Sequence, residues 1–195
     1  MDATTSSDRL DGSMTTDDRI IHATLTLISE HGLGVVTMSQ VADVAGVARQ
    51  TLYNHYGDIN GIAAAAIDRH NRESIDLLEA ALQIAESPAD KIEQMVRHFV
   101  MVGSHAQHAF DFGIGLSAEV RAVLDSYKEA IERHISDILG DGRHSGDFRP
   151  DLTLEIDTAL TRALLDGLYG LAADTPDQAS RIATTGTRTI LAALR

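Results

Sequence analysis

Apolar residues begin to recur with a helical period at about Asp17. Ile21, Leu25 and Ile28 fall on one face with Ile20 and Leu27 beside them, and His31-Gly32 ends the segment, since Gly is favoured just past a helix. Thr37 opens a second helix. In Thr37-Met-Ser-Gln40 the hydroxyl can accept from the backbone three residues on while Gln40 reaches back. Val41 and Val44 are expected to face inward, and Ala42 and Ala45 to permit close packing. Gly46 stops this helix, a third short one runs from about Ala48 to His55, and Tyr56-Gly57 breaks it. Asp58 can then cap a long helix from about Ile59 to Ala85. Residues 1–16 carry Ser, Thr, Asp and Gly without periodicity and read as a disordered tail. Met14 is an alternative to Met1 as the translation start.

The rest of the chain continues in helices. Ser87-Pro88 punctuates, and Ala89 to about Ala106 presents Ile92, Val96, Phe99 and Val100 on its apolar side. Phe110 to Gly115 holds two glycines and reads as a short element with a bend. Ser117 to Leu139 repeats Val120, Leu124, Tyr127, Ile131 and Ile135, and Gly140 to Pro150 reads as a turn-rich connection. The last two helices are expected at about Asp151–Ala173 and Pro176–Leu194. No internal repeat and no convincing strand is present. The fold class is therefore all-α: an N-terminal three-helix helix-turn-helix domain, then a C-terminal antiparallel helical bundle. The boundaries follow as 1–16 tail, 17–63 N-terminal helix-turn-helix domain and 64–195 C-terminal helical domain, to which the family resemblance given below assigns ligand binding and dimerisation.

Composition narrows the chemistry. With 44% hydrophobic residues in 195, the chain can bury a sizeable core, and only 3 Pro and 4% aromatics argue against a β-sandwich. The absence of Cys removes disulfides, thiol nucleophiles and Cys-based zinc sites. No run of about 18 apolar residues occurs and the N-terminus has no apolar stretch for export, so the expectation is a cytoplasmic protein without membrane contact. The net charge of −13 argues by itself against a nucleic-acid partner, although it does not exclude a locally suitable face.

The third helix supplies such a face. Two short helices joined by a glycine turn make a helix-turn-helix, whose second helix presents its exposed side to the DNA major groove. Arg49, Gln50, Thr51, Tyr53, Asn54 and His55 are polar or amphipathic, and Leu52 alone is left to anchor the helix. Arg can read guanine, Gln and Asn can read adenine, and Thr can touch a thymine methyl. Tyr and His suit phosphate oxygens, which position a protein without reading sequence. A three-helix packing unit that never meets DNA is the plainer alternative.

The stretch from Thr37 to Ile62, TMSQVADVAGVARQTLYNHYGDINGI, resembles the DNA-binding domain of the TetR family of transcriptional repressors. The Thr opening the second helix, Val-Ala-Asp-Val-Ala-Gly-Val across the turn and Thr-Leu-Tyr-Asn-His-Tyr-Gly closing the third carry the likeness, which extends over about residues 17–63. Gly146-Asp-Phe-Arg-Pro-Asp-Leu152 is similar to the family's usual lead into its penultimate helix. The resemblance implies an all-helical homodimer that binds a palindromic double-stranded DNA operator and is released by a small-molecule effector. Position by position, Thr37, Arg49, Tyr53 and His55 match family positions that contact phosphates or base edges, and Gln50, Thr51 and Asn54 fall where sequence is read. Two departures stand out. Ala48 replaces the usual Ser or Thr cap of the recognition helix, and Ile59 replaces a Lys that commonly meets a phosphate. Residues 1–70 hold four Arg and no Lys against nine carboxylates, so affinity rather than role is what these departures weaken.

In the C-terminal part, His98, Met101, His105 and His108 share one helix face. His105 and His108 could both reach one metal ion, given a third ligand from His134, His70 or a carboxylate. A polar patch in a ligand pocket, or ordinary core hydrogen bonds, accounts for the same stripe without metal. Phe99, Phe110, Phe112, Leu116, Tyr127 and Tyr169 are candidates for an apolar cavity, to which the histidines add polar groups. The ligand-binding set is His98, Phe99, His105, Phe112, Tyr127 and Tyr169, with no metal or other cofactor assigned. Ala159, Ala163, Gly167 and Gly170 form a small-residue stripe on the penultimate helix, and Ala179, Ala183, Gly186, Ile190 and Ala193 a similar one on the last. These stripes point to a homodimer through the last two helices, or to close packing within one subunit.

No G-x-S-x-G, phosphate loop, dinucleotide fingerprint or H-E-x-x-H is present, so an enzyme is not expected. Three functions remain. The first is a ligand-responsive repressor of the TetR type, the second a metal-responsive regulator of the same fold. The third is a helical small-molecule-binding dimer that has lost DNA binding.

Overall fold

The computed structural model describes residues 14–105 and 116–195. The expected tail lies outside them except for its last residues, and so does the Phe110 to Gly115 element. Among the described residues there are eight α-helices, two short 3-10 turns and no strand. The helices are α1 Thr16–His31, α2 Met38–Ala45, α3 Arg49–Tyr56, α4 Ile59–Gln83, α5 Pro88–His105, α6 Ala118–Ser145, α7 Leu154–Asp174 and α8 Ala179–Leu194. None of them is long and apolar enough to cross a membrane.

The chain divides into two compact units. Residues 14–68 with 116–121 form one, and residues 69–105 with 122–195 form the other. In the N-terminal unit, α1 starts in a capping box: Thr15 accepts from the Asp18 amide at 3.1 Å and the Asp18 carboxylate accepts from the Thr15 amide at 3.0 Å. Ile20, Ile21, Ala23, Leu27 and Ile28 of α1 pack with Met38, Val41, Ala42 and Ala45 of α2 and with Leu52 of α3 to make its core, which Ile62, Ala63, Ala66 and Ile67 extend. Val44, expected inside, is 58% exposed. Met38, Val41, Ala42 and Ala45 already complete an i, i+3, i+4, i+7 stripe, and residue 44 falls on the opposite side of a helix only eight residues long.

The C-terminal unit is built on α5, which packs along α7 and α8. Its core joins Leu78 of α4, Ile92, Met95, Val96 and Phe99 of α5, Ile131, Ile135 and Leu139 of α6, Leu165 of α7 and Ile190 of α8. Gly103 lets α5 and α7 meet backbone to backbone, since a Cβ there would overlap the Tyr169 carbonyl.

The expected turn-rich stretch from Gly140 to Pro150 is corrected. Helix α6 runs on to Ser145, because Gly142 leaves the space into which the Phe148 ring folds back. Arg149 then ties this connection to the end of α8. Its amide donates to the Leu194 carbonyl at 2.8 Å and its guanidinium to the Ala193 carbonyl at 3.0 Å and to the buried Asp157 at 2.7 Å.

Candidate nucleic-acid interface and effector site

The helix-turn-helix follows from three local devices. Thr37 caps α2, accepting from the Gln40 amide at 3.3 Å, while the Gln40 side chain accepts from the Thr37 amide at 2.9 Å. Gly46 turns the chain with φ of 65°, a left-handed conformation that only residues like glycine adopt cheaply. Leu52 is the one buried residue of α3 and fastens that helix to the unit.

The remainder of α3 faces outward. Arg49, Gln50, Asn54 and His55 are exposed, Tyr53 is 51% exposed, and Thr51 is half-buried. The Gln50 amide donates to Asn54 Oδ1 at 2.9 Å, so these two side chains are paired before any ligand arrives. Ala48 stands at the N-cap with no side-chain cap bond, as its methyl group requires. The far end of α3 is held by the Tyr56 hydroxyl donating to the Asp17 carboxylate at the start of α1.

Asp58 caps α4, accepting from the Gly61 amide at 2.9 Å. Gly61 was not singled out in the sequence, yet a Cβ there would overlap the Tyr56 carbonyl. Its role is to let α4 start directly against the end of α3. Ile59 is half-buried at this junction.

In the C-terminal unit the structure brings together His98 and Tyr127, on either side of a residue the sequence did not single out. Ser74 Oγ lies 2.9 Å from His98 Nε2 and 3.4 Å from the Tyr127 hydroxyl. Ser74 and His98 are buried and Tyr127 is half-buried. Burial pushes His98 below the ordinary histidine value of 6.5, and nearby His70 pushes the same way. Burial also lowers His70, against an opposing pull from Glu73. Both rings are therefore neutral at neutral pH.

The other candidates fall elsewhere. Phe99, next to His98 in sequence, turns toward α7, where the Arg162 guanidinium stands 5.5 Å from its ring centre. Tyr169 is half-buried on α7, its backbone against Gly103. His105 is exposed, and its Nδ1–H donates to the Met101 carbonyl of its own helix at 2.8 Å. Phe112 and His108 lie outside the described residues. His134, a possible third metal ligand by sequence, pairs instead with Glu79 at 3.3 Å. Among the described residues no three metal-ligating side chains converge.

The two small-residue stripes separate. On α8, Gly186 and Ile190 are buried, and Ala179 and Ala183 pack against the core of their own subunit. On α7, Ala159, Ala163 and Gly167 are exposed beside Ile156, Leu160, Leu164 and Leu171, which are 42–58% exposed. Together these α7 residues make an apolar ridge, bordered by a groove toward α8 that Thr185 and Thr189 help to line.

Comparison with known proteins agrees with this geometry. Residues 20–66 match the family model of the bacterial regulatory proteins of the tetR family. A helix-turn-helix-type transcriptional regulator of Mycobacterium bovis is 30% identical over 97 residues, covering 50% of this chain and 46% of that relative. The matched part thus spans about half the length of each. Among solved structures, the fatty acid degradation regulator FadR from Bacillus halodurans is similar with a TM-score of 0.79 at 16% identity, over 91% of this chain and 95% of that one. FadR from Bacillus subtilis, solved in complex with stearoyl-CoA, is similar with a TM-score of 0.76 at 15% identity, over 91% and 98%. At such identities the structures show a shared fold. Most of α1, all of α2 and α3, their glycine turn and the start of α4 lie inside the segment that matches the tetR family model, so the likeness to that family is carried by the helix-turn-helix unit.

Proposed function

We propose that the protein is a ligand-responsive transcriptional repressor that binds a palindromic DNA operator as a homodimer and leaves it when a small molecule binds the C-terminal unit. The observation that carries this reading is α3, a helix whose one buried side chain is Leu52, with Arg49, Gln50, Tyr53, Asn54 and His55 turned to solvent. A helix kept only for packing has no use for so polar a face. Thr37, at the exposed start of α2, and Thr51 complete the set of DNA contacts. Arg49, Gln50, Thr51 and Asn54 take base edges, and Thr37, Tyr53 and His55 take the backbone.

The dimer uses the α7 ridge. Ile156, Leu160, Leu164 and Leu171 present more apolar side chain on one face than a helix open to water keeps without a partner, and Ala163 and Gly167 let a second helix come close. A two-fold pair of such ridges also supplies the two recognition helices that a palindrome requires.

Of the ligand-binding candidates, His98 and Tyr127 meet at Ser74, and this supports reading the effector site there. α4 carries Ser74 and begins within the last residues of the DNA-binding unit, so a ligand that moves Ser74 acts on the same helix that Asp58 and Gly61 begin. Stearoyl-CoA in the Bacillus subtilis relative's structure supports effector binding in this fold, without fixing which effector acts here. The test is selection of duplexes from a random pool by the purified protein. An inverted repeat with half-sites a helical turn or more apart is expected, and recovery of no common motif would overturn the assignment.

A further inference from the structure

The C-terminal unit keeps a buried donor without a partner among the described residues, one helical turn from the Ser74 and His98 pair. Asn71 lies on α4 next to His70 and one turn before Ser74, and its Nδ2 is shut off from solvent with no hydrogen-bond partner among the described residues. A buried N–H left unbonded is a standing cost to the fold, which an apolar side chain at the same place avoids. The groups around Ser74 are an imidazole at 2.9 Å and a phenol at 3.4 Å, with no carboxylate among them. Leu78 and Ile131, one turn beyond Ser74 and Tyr127 on the same helix faces, belong to the apolar core. The cluster is thus a small polar spot at the margin of an apolar interior.

Resting on the effector reading above, we propose that Asn71 is the anchoring donor of the site, giving an N–H to the carbonyl oxygen of an uncharged, largely apolar effector whose head lies among His70, Ser74, His98 and Tyr127. A ketone, ester or amide oxygen accepts from Asn71 and needs no counter-charge. A carboxylate would enter a site whose histidines are held neutral by burial and where Glu73 already faces His70, so it would have to draw protons in with it.

The test uses the full chain with 2-nonanone and nonanoate as probes, matched in length and differing in charge. Asn71→Leu, with Asn71→Ala as the variant that cannot overpack, is compared with the parent by thermal unfolding and by the side-chain amide NMR signals. Removing the unbonded donor is expected to raise the Tm of the ligand-free protein by about 2–10 °C. 2-Nonanone is expected to shift the Asn71 amide signal, to bind without proton uptake and to bind the variants about three- to tenfold more weakly. A fall in Tm in both variants would mean that the donor is already satisfied and would overturn the proposal. So would an Asn71 signal unmoved by either probe at millimolar concentration. Tighter binding of nonanoate with proton uptake would overturn the uncharged class while leaving the effector site standing. Duplex selection reads the DNA function separately. A protein that passes the Asn71 test but selects no motif is a ligand-binding helical dimer and not a repressor.

Discussion

The pairing of Gln50 with Asn54 makes a quantitative prediction about how bases are read. An adenine is recognised when one amide offers an acceptor and a donor together. In the free protein Asn54 Oδ1 already accepts from Gln50 at 2.9 Å, so Asn54 keeps its NH2 group while Gln50 keeps its oxygen and one N–H. The two side chains therefore present a joint edge, and each holds the other's rotamer. Either single substitution, Gln50→Ala or Asn54→Ala, is expected to weaken operator binding by about 1–3 kcal/mol. The double variant should lose less than the sum by about 0.5–1.5 kcal/mol, because the second change removes a group whose partner is already gone. Unfolding free energy should change by less than about 0.5 kcal/mol, since both side chains are exposed. Fluorescence anisotropy with a labelled operator at fixed salt, repeated over single base-pair substitutions, measures all of this. The losses should concentrate at one or two base pairs in each half-site. Additivity within about 0.3 kcal/mol, or a uniform loss at every base pair, would refute the joint edge.

Three further outcomes follow from other parts of the molecule. Ala48→Ser should add the missing N-cap bond of α3 and stabilise the N-terminal unit by about 1 kcal/mol in chemical denaturation, and an unchanged midpoint would show that the α3 terminus is satisfied by other means. Leu160→Glu, on the exposed α7 ridge, should turn the dimer into a folded monomer by sedimentation, with helicity by circular dichroism retained; a dimer that persists would place the interface elsewhere. His98 and His70 sit below 6.5, so as pH falls through that value the unfolded chain takes up protons that the folded chain refuses, and stability declines. Tm should therefore drop between pH 7.5 and 5.5, and less steeply in His98→Gln, which keeps a polar partner for Ser74. An identical slope in parent and variant would contradict the buried neutral ring.

What could be read from the sequence was local and periodic. The Thr37–Gln40 box, the Asp58 cap, the bare Ala48 terminus and Leu52 as the one buried residue of α3 each depend on residues within a turn or two of one another. The structure has them as the pattern predicts. Val44 went astray because an eight-residue helix holds too few apolar positions for periodicity to fix its facing. The extension of α6 past Gly140 was hidden because glycine normally signals a turn. Here Gly142 instead yields its side-chain space to Phe148, six residues further on. Ser74 and Asn71 were beyond reach for a different reason. A polar residue on a long helix reads as solvated, and only packing against α5 and α6 makes Ser74 the partner of His98 and leaves the Asn71 donor unbonded. The histidine stripe broke up likewise, since His105 bonds back to its own helix while His98 faces α4.

The central claim is sequence-specific DNA binding by an acidic dimer, and its most direct test is binding to the selected palindrome against a scrambled duplex across a salt series. Arg19 and Arg49 are the only Lys or Arg residues between positions 14 and 68, so a dimer brings at most about four such cations to the DNA from this segment. The account predicts log K falling against log salt with a slope no steeper than about −4, together with a preference for the palindrome of at least about 10³-fold. Equal affinity for the scrambled duplex at every salt concentration would contradict it.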